Sequence, residues 1–131
     1  MSVRVVLDAN VLIEGLARPN SSSGRLLDGI LAERVSVAWC DEIMNDYAIT
    51  LGYDAFGLDA SRADKLLDFL KETGEKVDLS GRYGLTLPAA GDTPYYCCAA
   101  DGGYPLVTGN RNHYPANGPV EILDPARVLF K

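Results

Sequence analysis

A chain of 131 residues with 47% hydrophobic and 23% charged content has the balance of one globular domain, and it is long enough to bury a core without disulfide or metal staples. A net charge of −6 excludes a broad basic face for nucleic acid, so any nucleic-acid chemistry has to work from a local cluster of groups. No apolar run nears the ~20 residues of a membrane span. The short β-like opening does not read as a signal peptide. The three cysteines, Cys40 and the adjacent Cys97 and Cys98, form no C-x-x-C pair and read as reduced thiols in a cytoplasmic setting.

In chain order, VRVVLD reads as a strand of a covered parallel sheet, ending on Asp8. Asn10 is placed to cap a short helix from Val11. The loop around Pro19 to Ser23 carries serines that can cap the next helix, in which Leu26, Leu27, Ile30 and Leu31 share a face. VSVAW at 35–39 is a second strand, followed by a helix over Asp41 to Leu51 with Gly52 as its C′ stop. Tyr53 to Leu58 is a loop, and SRAD from Ser61 resembles a capping box. The helix it opens carries an apolar stripe of Ala63, Leu66, Leu67 and Leu70 and ends at Gly74. Lys76 to Leu79 predicts a short strand and Ser80 to Gly91 a loop. Thr93-Pro94 starts a helix that runs to about Asp101 and stops at Gly102-Gly103. PLVTGN and VEIL are two further strands, and DPARVLF is a terminal helix. Strands alternating with helices predict a single-domain α/β/α sandwich over 1–131 with a central, mainly parallel sheet.

In such a sheet, ligands bind beyond the carboxyl ends of the strands. Asp8 and Asn110 both follow apolar strands, and Asp92 precedes a helix, so two carboxylates and an amide are expected at one edge. Asp46 lies at the margin of the buried side that Ile43, Tyr47 and Leu51 define on their helix, with Glu42 one turn earlier. Gathered carboxylates repel one another and some are protonated unless a cation holds them, and hard ions such as Mg²⁺ and Mn²⁺ prefer oxygen ligands. Asp8 therefore reads as a metal ligand presented by a rigid strand; the plain alternative is that it caps a turn. His113, the single histidine, reads either as a ligand or proton shuttle or as a loop residue beside Tyr114 and Pro115. Cys97 and Cys98 read as small core residues, and Asp101 sits against the macrodipole at the end of its helix, solvated or assisting the acid-poor edge.

VVLDANVLIEGL, NDYAITL, GDTPYYCCAA and LVTGNRNHYP, in this order and spacing, resemble a PIN domain over nearly the whole chain, from Val3 to about Phe130. The resemblance is strongest to the small VapC-like toxins of toxin–antitoxin pairs. It implies an α/β/α fold and a metal-dependent endoribonuclease whose products carry 5′-phosphate and 3′-hydroxyl ends. Carried over by position, Asp8, Asp46 and Asp92 match the family acids and would hold Mg²⁺ or Mn²⁺, with Asp46 fitting the second acid better than Glu42. Thr108 and Asn110 match the T-x-D or T-x-N turn, so Asn110 joins the three acids as a catalytic candidate. Asn10, Thr108, Arg111 and His113 are the substrate-binding candidates, and Arg18 and Arg25 could help to hold RNA backbone. The resemblance also implies a homodimer, an antitoxin that inserts a segment into the acidic cleft, and a cytoplasmic location. The chain departs from the pattern at the fourth acid, whose two usual places hold Asn110 and His113.

A haloacid-dehalogenase-type phosphatase also starts with a strand ending in Asp, but the sole lysine after Thr108 is Lys131, and Glu121 and Asp124 do not supply its acid pair. A receiver domain fails likewise. The surviving alternative is a catalytically weak PIN-fold module that binds RNA or protein and lacks the fourth acid.

Overall fold

The computed structural model describes residues 3–52, 57–79, 93–115 and 118–129. In order, these form β1 (Val3–Leu7), α1 (Ala9–Ala17), α2 (Ser22–Leu31), β2 (Val35–Trp39), α3 (Asp41–Leu51), α4 (Ala60–Thr73), β3 (Glu75–Lys76), α5 (Thr93–Gly102), β4 (Leu106–Val107), a 3₁₀ turn (Arg111–His113), β5 (Ile122–Leu123) and α6 (Pro125–Leu129). The strands make one sheet in the order β3-β2-β1-β4-β5, and every neighbouring pair is parallel. Parallel pairing throughout requires each connection to cross a face of the sheet, which is why helices separate the strands. The expected parallel α/β architecture is therefore observed.

β1 is the central strand, and Val5, Val6 and Leu7 are fully buried, as an unbroken apolar strand covered on both faces demands. Around it pack Leu12, Leu26 and Ile30 from α1 and α2, Ile43 and Tyr47 from α3, Leu70 from α4 and Tyr95, Tyr96 and Cys98 from α5. Leu31, expected on the apolar face of α2, is 53% exposed and lies off that face. Cys40 and Cys98 are buried and Cys97 is half-buried, all three as free thiols. The Cys98 thiol hydrogen-bonds the Cys40 sulfur, which holds Cys40 below the ordinary thiol range and pushes Cys98 up.

Several helix ends differ from their sequence reading. α1 starts at Ala9, with Asp8 in the N-cap position, so Asn10 lies inside the first turn and does not cap it. Ser21 caps α2 by accepting from the Gly24 amide, as a serine in that loop should. α4 starts at Ala60 with Asp59 as its cap, two residues before the expected cap Ser61, because the Asp59 carboxylate accepts from the amides of both Ser61 and Arg62. Gly52 ends α3 at φ −83°, so no left-handed residue is needed there, whereas Gly103 after α5 has φ +73°. β3 stops at Lys76, so the strand expected through Leu79 is confined to its start, where it pairs with β2. Tyr53 to Phe56 and Ser80 to Gly91 lie outside the described residues.

Candidate active site

The central strands β1 and β4 place two residues side by side at their carboxyl ends. The Asp8 amide donates to the Val107 carbonyl at 2.9 Å, and the Thr108 amide donates to the Leu123 carbonyl at 2.9 Å. The ladder thus carries Asp8 and Thr108 to the same edge of the sheet. Both are buried, Asp8 at 6% exposure and Thr108 at 0%.

Asp8 occupies the N-cap position of α1, yet its side chain makes no capping bond. Its Oδ2 accepts from the Thr108 hydroxyl at 2.9 Å and from the Tyr114 hydroxyl at 3.0 Å. The capping alternative is therefore replaced by a long-range one: the carboxylate is held by β4 and by the segment that follows it. A buried carboxylate needs such donors, and the positive end of α1 adds to them. Thr108 works in both directions, because its Oγ1 also accepts from the Asn110 amide at 3.0 Å. Asn10, freed from capping, accepts from the Gly109 amide through Oδ1 at 3.3 Å and ties the first turn of α1 to the turn after β4.

Asp46 reaches the same region from α3. Its Oδ2 accepts from the Tyr95 hydroxyl, and the Thr50 hydroxyl lies 3.5 Å from its Oδ1. Tyr47, the next residue on α3, is fully buried, and its hydroxyl donates to the carbonyl of Leu7, the residue before Asp8. The Tyr47 and Tyr95 rings pack with centroids 6.0 Å apart. The Asp8 and Asp46 charges act on both phenols. With desolvation as the larger cause, they push Tyr47 and Tyr95 far above the ordinary phenol range, so both remain protonated donors. Glu42, the other acid considered on α3, is exposed.

The 3₁₀ turn supplies the remaining candidates. Asn110 and Arg111 are exposed and His113 is half-buried. Together with Thr108, Gly109, Asn112 and Asp124 they line an open polar recess of about 430 Å³ beside Asp8. Asp101 lies elsewhere: α5 ends near Tyr104, whose ring meets Arg4 and whose hydroxyl bonds Glu75, both at the amino ends of their strands. The end of α5 that carries Asp101 thus lies towards the opposite edge of the sheet. Arg18 ends α1, roughly 13 Å of helix away from Asp8. Arg25 is exposed in the first turn of α2. An apolar recess lined by Gly15, Leu16, Leu27, Leu66 and Phe69 also exists, but Asp28 is the single acid on its wall.

Asp92, the third expected acid, lies outside the described residues, immediately before α5. Among the described residues, no three acids, histidines or cysteines gather as a metal cage. The two described acids do have the chemistry for a hard cation: both are carboxylates, set in one corner of the fold and oriented by hydroxyl donors. The residues that sequence reasoning missed are the three tyrosines. Tyr47 and Tyr95 fit an apolar stripe whichever way their hydroxyls point, and Tyr114 read as part of a loop.

A PIN-domain family model matches residues 4–112. Comparison with curated proteins found no match. Among solved structures, the chain is similar to a chain of VapBC2 from Rickettsia felis, a complex solved bound to a DNA fragment from their promoter. That match has a TM-score of 0.61 and 15% identity, and it covers 93% of this chain and 98% of that one. It supports the fold, and the family match covers the strand end that carries Asp8, the helix that carries Asp46 and the turn at Asn110. The chain belongs to the PIN-domain family.

Proposed function

We propose that this protein is a metal-dependent endoribonuclease, the toxin of a type II toxin–antitoxin pair. PIN domains are generally nucleases, and membership of that family supports a hydrolase of phosphodiester bonds. The observation that carries the finer reading is the state of Asp8: a buried carboxylate in an N-cap position that makes no cap, held instead by Thr108 and Tyr114 from the neighbouring strand and turn.

Asp8, Asp46 and Asp92 are the residues that would hold Mg²⁺ or Mn²⁺. When bound, such an ion lowers the pKa of a water and supplies a nucleophile near neutral pH. The chain's own residues do the rest. Thr108 keeps Asp8 oriented and fixes the turn that carries Asn110. Asn110 would orient a water or donate to a phosphate oxygen. Arg111 and His113, on the wall of the recess, would meet the RNA backbone, and Asn10 holds the turn that shapes it. Charge on the recess is sparse, so RNA binding should be weak and sensitive to salt.

The likeness to a VapBC2 chain supports an antitoxin partner, and a homodimer in the cytoplasm completes the reading. No helix among the described residues is long and apolar enough to cross a membrane. The neutral residues Asn110 and His113 at the fourth acid position favour a second reading, a weakly catalytic module that binds RNA or protein. Cleavage of single-stranded RNA with and without Mn²⁺, by wild type and Asp8→Asn, separates the two. The nuclease reading expects Mn²⁺-dependent cleavage that Asp8→Asn abolishes; equal cleavage by both proteins would refute it.

A further inference from the structure

Both described acids meet a phenol. The Tyr95 hydroxyl donates to Asp46, and the Tyr114 hydroxyl donates to Asp8 at 3.0 Å. The rings behind these hydroxyls are immobilised. Tyr95 is 2% exposed and packs on Tyr47, which is itself anchored to the Leu7 carbonyl. Tyr114 is 5% exposed and stacks on Tyr96 with centroids 6.3 Å apart and planes 10° apart. A buried phenol requires a partner for its hydroxyl, and here the partners are carboxylate oxygens.

The terminal torsion of an aspartate is broad, so nothing intrinsic to the side chain fixes the plane of its carboxylate. A donor on a rigid ring, aimed at one oxygen, does fix it. Tyr114 also follows the 3₁₀ turn whose two fourth-acid positions hold Asn110 and His113. The segment that lacks a carboxylate thus delivers a hydrogen-bond donor to an existing one. Tyr114 lies just beyond the residues that match the family model.

We propose that Tyr95 and Tyr114 are positioning residues of the acidic centre, each fixing the plane of one carboxylate so that the cation site is pre-formed in a centre without a fourth acid. This rests on the reading of Asp8 and Asp46 as metal ligands. The phenols themselves touch neither ion nor RNA. Their effect is to remove the rotation that an unsupported aspartate would lose on binding a cation, and to stabilise two like charges held in one corner.

The test uses Tyr95→Phe, Tyr114→Phe and the double variant, which keep the rings and remove the hydroxyls. Mn²⁺ affinity is measured by calorimetry on the full chain, with thermal melting as a fold control and Asp8→Asn as the reference for ligand loss. Removing groups that orient metal ligands commonly costs about 10–100-fold in affinity. Each single variant is therefore expected to weaken Mn²⁺ binding by about 10-fold, and the double variant further. In RNA cleavage, kcat should fall while KM for the RNA holds. The near-ultraviolet absorption of the tyrosines should shift when Mn²⁺ is added to wild type, a signature that needs no variant to fold, and the shift should shrink in the double variant. If the double variant binds Mn²⁺ within twofold of wild type while Asp8→Asn does not bind, the phenols only pack and the proposal is overturned. The same holds if wild type binds Mn²⁺ with no change in tyrosine absorption. Wild type that binds no Mn²⁺ at all would overturn the metal reading together with this one.

Discussion

Replacing Thr108 by valine removes one hydroxyl and keeps the side-chain shape. That hydroxyl is fully buried, donates to Asp8 Oδ2 at 2.9 Å and accepts from the Asn110 amide at 3.0 Å. The bond to a charged acceptor is worth about 1.5–3 kcal/mol, and the bond from the amide about 0.5–1.5 kcal/mol. Asn110 is exposed, so water can take over part of the second bond. The expected loss is therefore about 2–4 kcal/mol. For a chain of this length, one kcal/mol moves the melting temperature by roughly 3 °C, so Thr108→Val should melt about 6–12 °C lower. Scanning calorimetry in a chelator, which keeps ions from contributing, measures this directly. Thr108→Ser is the control: it keeps the hydroxyl and loses one methyl, at a cost of about 1 kcal/mol. In an Asp8→Asn background, Thr108→Val should cost about half as much, because the charge-assisted part is already gone. A Thr108→Val protein that melts within about 2 °C of wild type, or a serine variant that loses as much as the valine one, would refute this account.

Asp46→Asn should remove Mn²⁺-dependent cleavage while Glu42→Gln retains it, because Asp46 faces Tyr95 and Glu42 faces solvent; a reversed pattern in a cleavage assay would exchange their roles. Asn110→Asp should tighten Mn²⁺ binding several-fold, since an added carboxylate attracts a doubly charged ion more than it repels its neighbours, and His113→Ala should leave the affinity nearly unchanged; calorimetric titration of the two variants checks both. Gly24→Ala should destabilise the fold by about 1–3 kcal/mol, read by urea unfolding. A Cβ on Gly24 would meet the Pro19 carbonyl oxygen and sit 2.7 Å from its Cα, backbone atoms that cannot swing aside.

The layered fold was legible because its periodicities are clean. An unbroken apolar run made β1, and stripes at helical spacing made α2 and α4. The errors cluster at boundaries, where one hydrogen bond decides the outcome. Asp59 captured the start of α4 because its carboxylate reaches two amides, while Ser61 offers one hydroxyl already inside the turn. Asn10 read as a cap because amides are good caps, but it is spent instead on the Gly109 amide, a partner 99 residues away that local patterns do not contain. At the site, Asp8 was legible as a carboxylate that ends an apolar strand. Its partners were not, since Thr108 and Tyr114 lie 100 and 106 residues from it. One signal was present: the chain has seven tyrosines against three phenylalanines. A core built for packing alone would favour the ring without a hydroxyl, so buried tyrosines at apolar positions mark places where an acceptor waits.

The net charge of −6 was the strongest bulk objection to a nucleic-acid substrate, and the topology answers it by location. β4 and β5 lie on one side of β1, while β2 and β3 lie on the other. From Tyr104 to Leu129, the stretch that builds β4, the recess, β5 and α6, Arg111 and Arg127 face only Glu121 and Asp124, so this stretch is neutral. The acidic surplus belongs to the rest of the chain. It includes Asp8 and Asp46, whose charges are engaged by hydroxyl donors. A polyanion approaching the recess from the β5 side meets the exposed Arg111 and Arg127, offset by Glu121 and by Asp124 on the recess wall. Such a surface gives little electrostatic steering, because few phosphates are neutralised and few counterions are released. Selectivity in a centre of this kind then has to come from the short distance over which the acids, a bound cation and the hydroxyls act together. That is why the hydrogen bonds orienting Asp8 and Asp46 matter more to the proposed chemistry than the charge of the molecule as a whole.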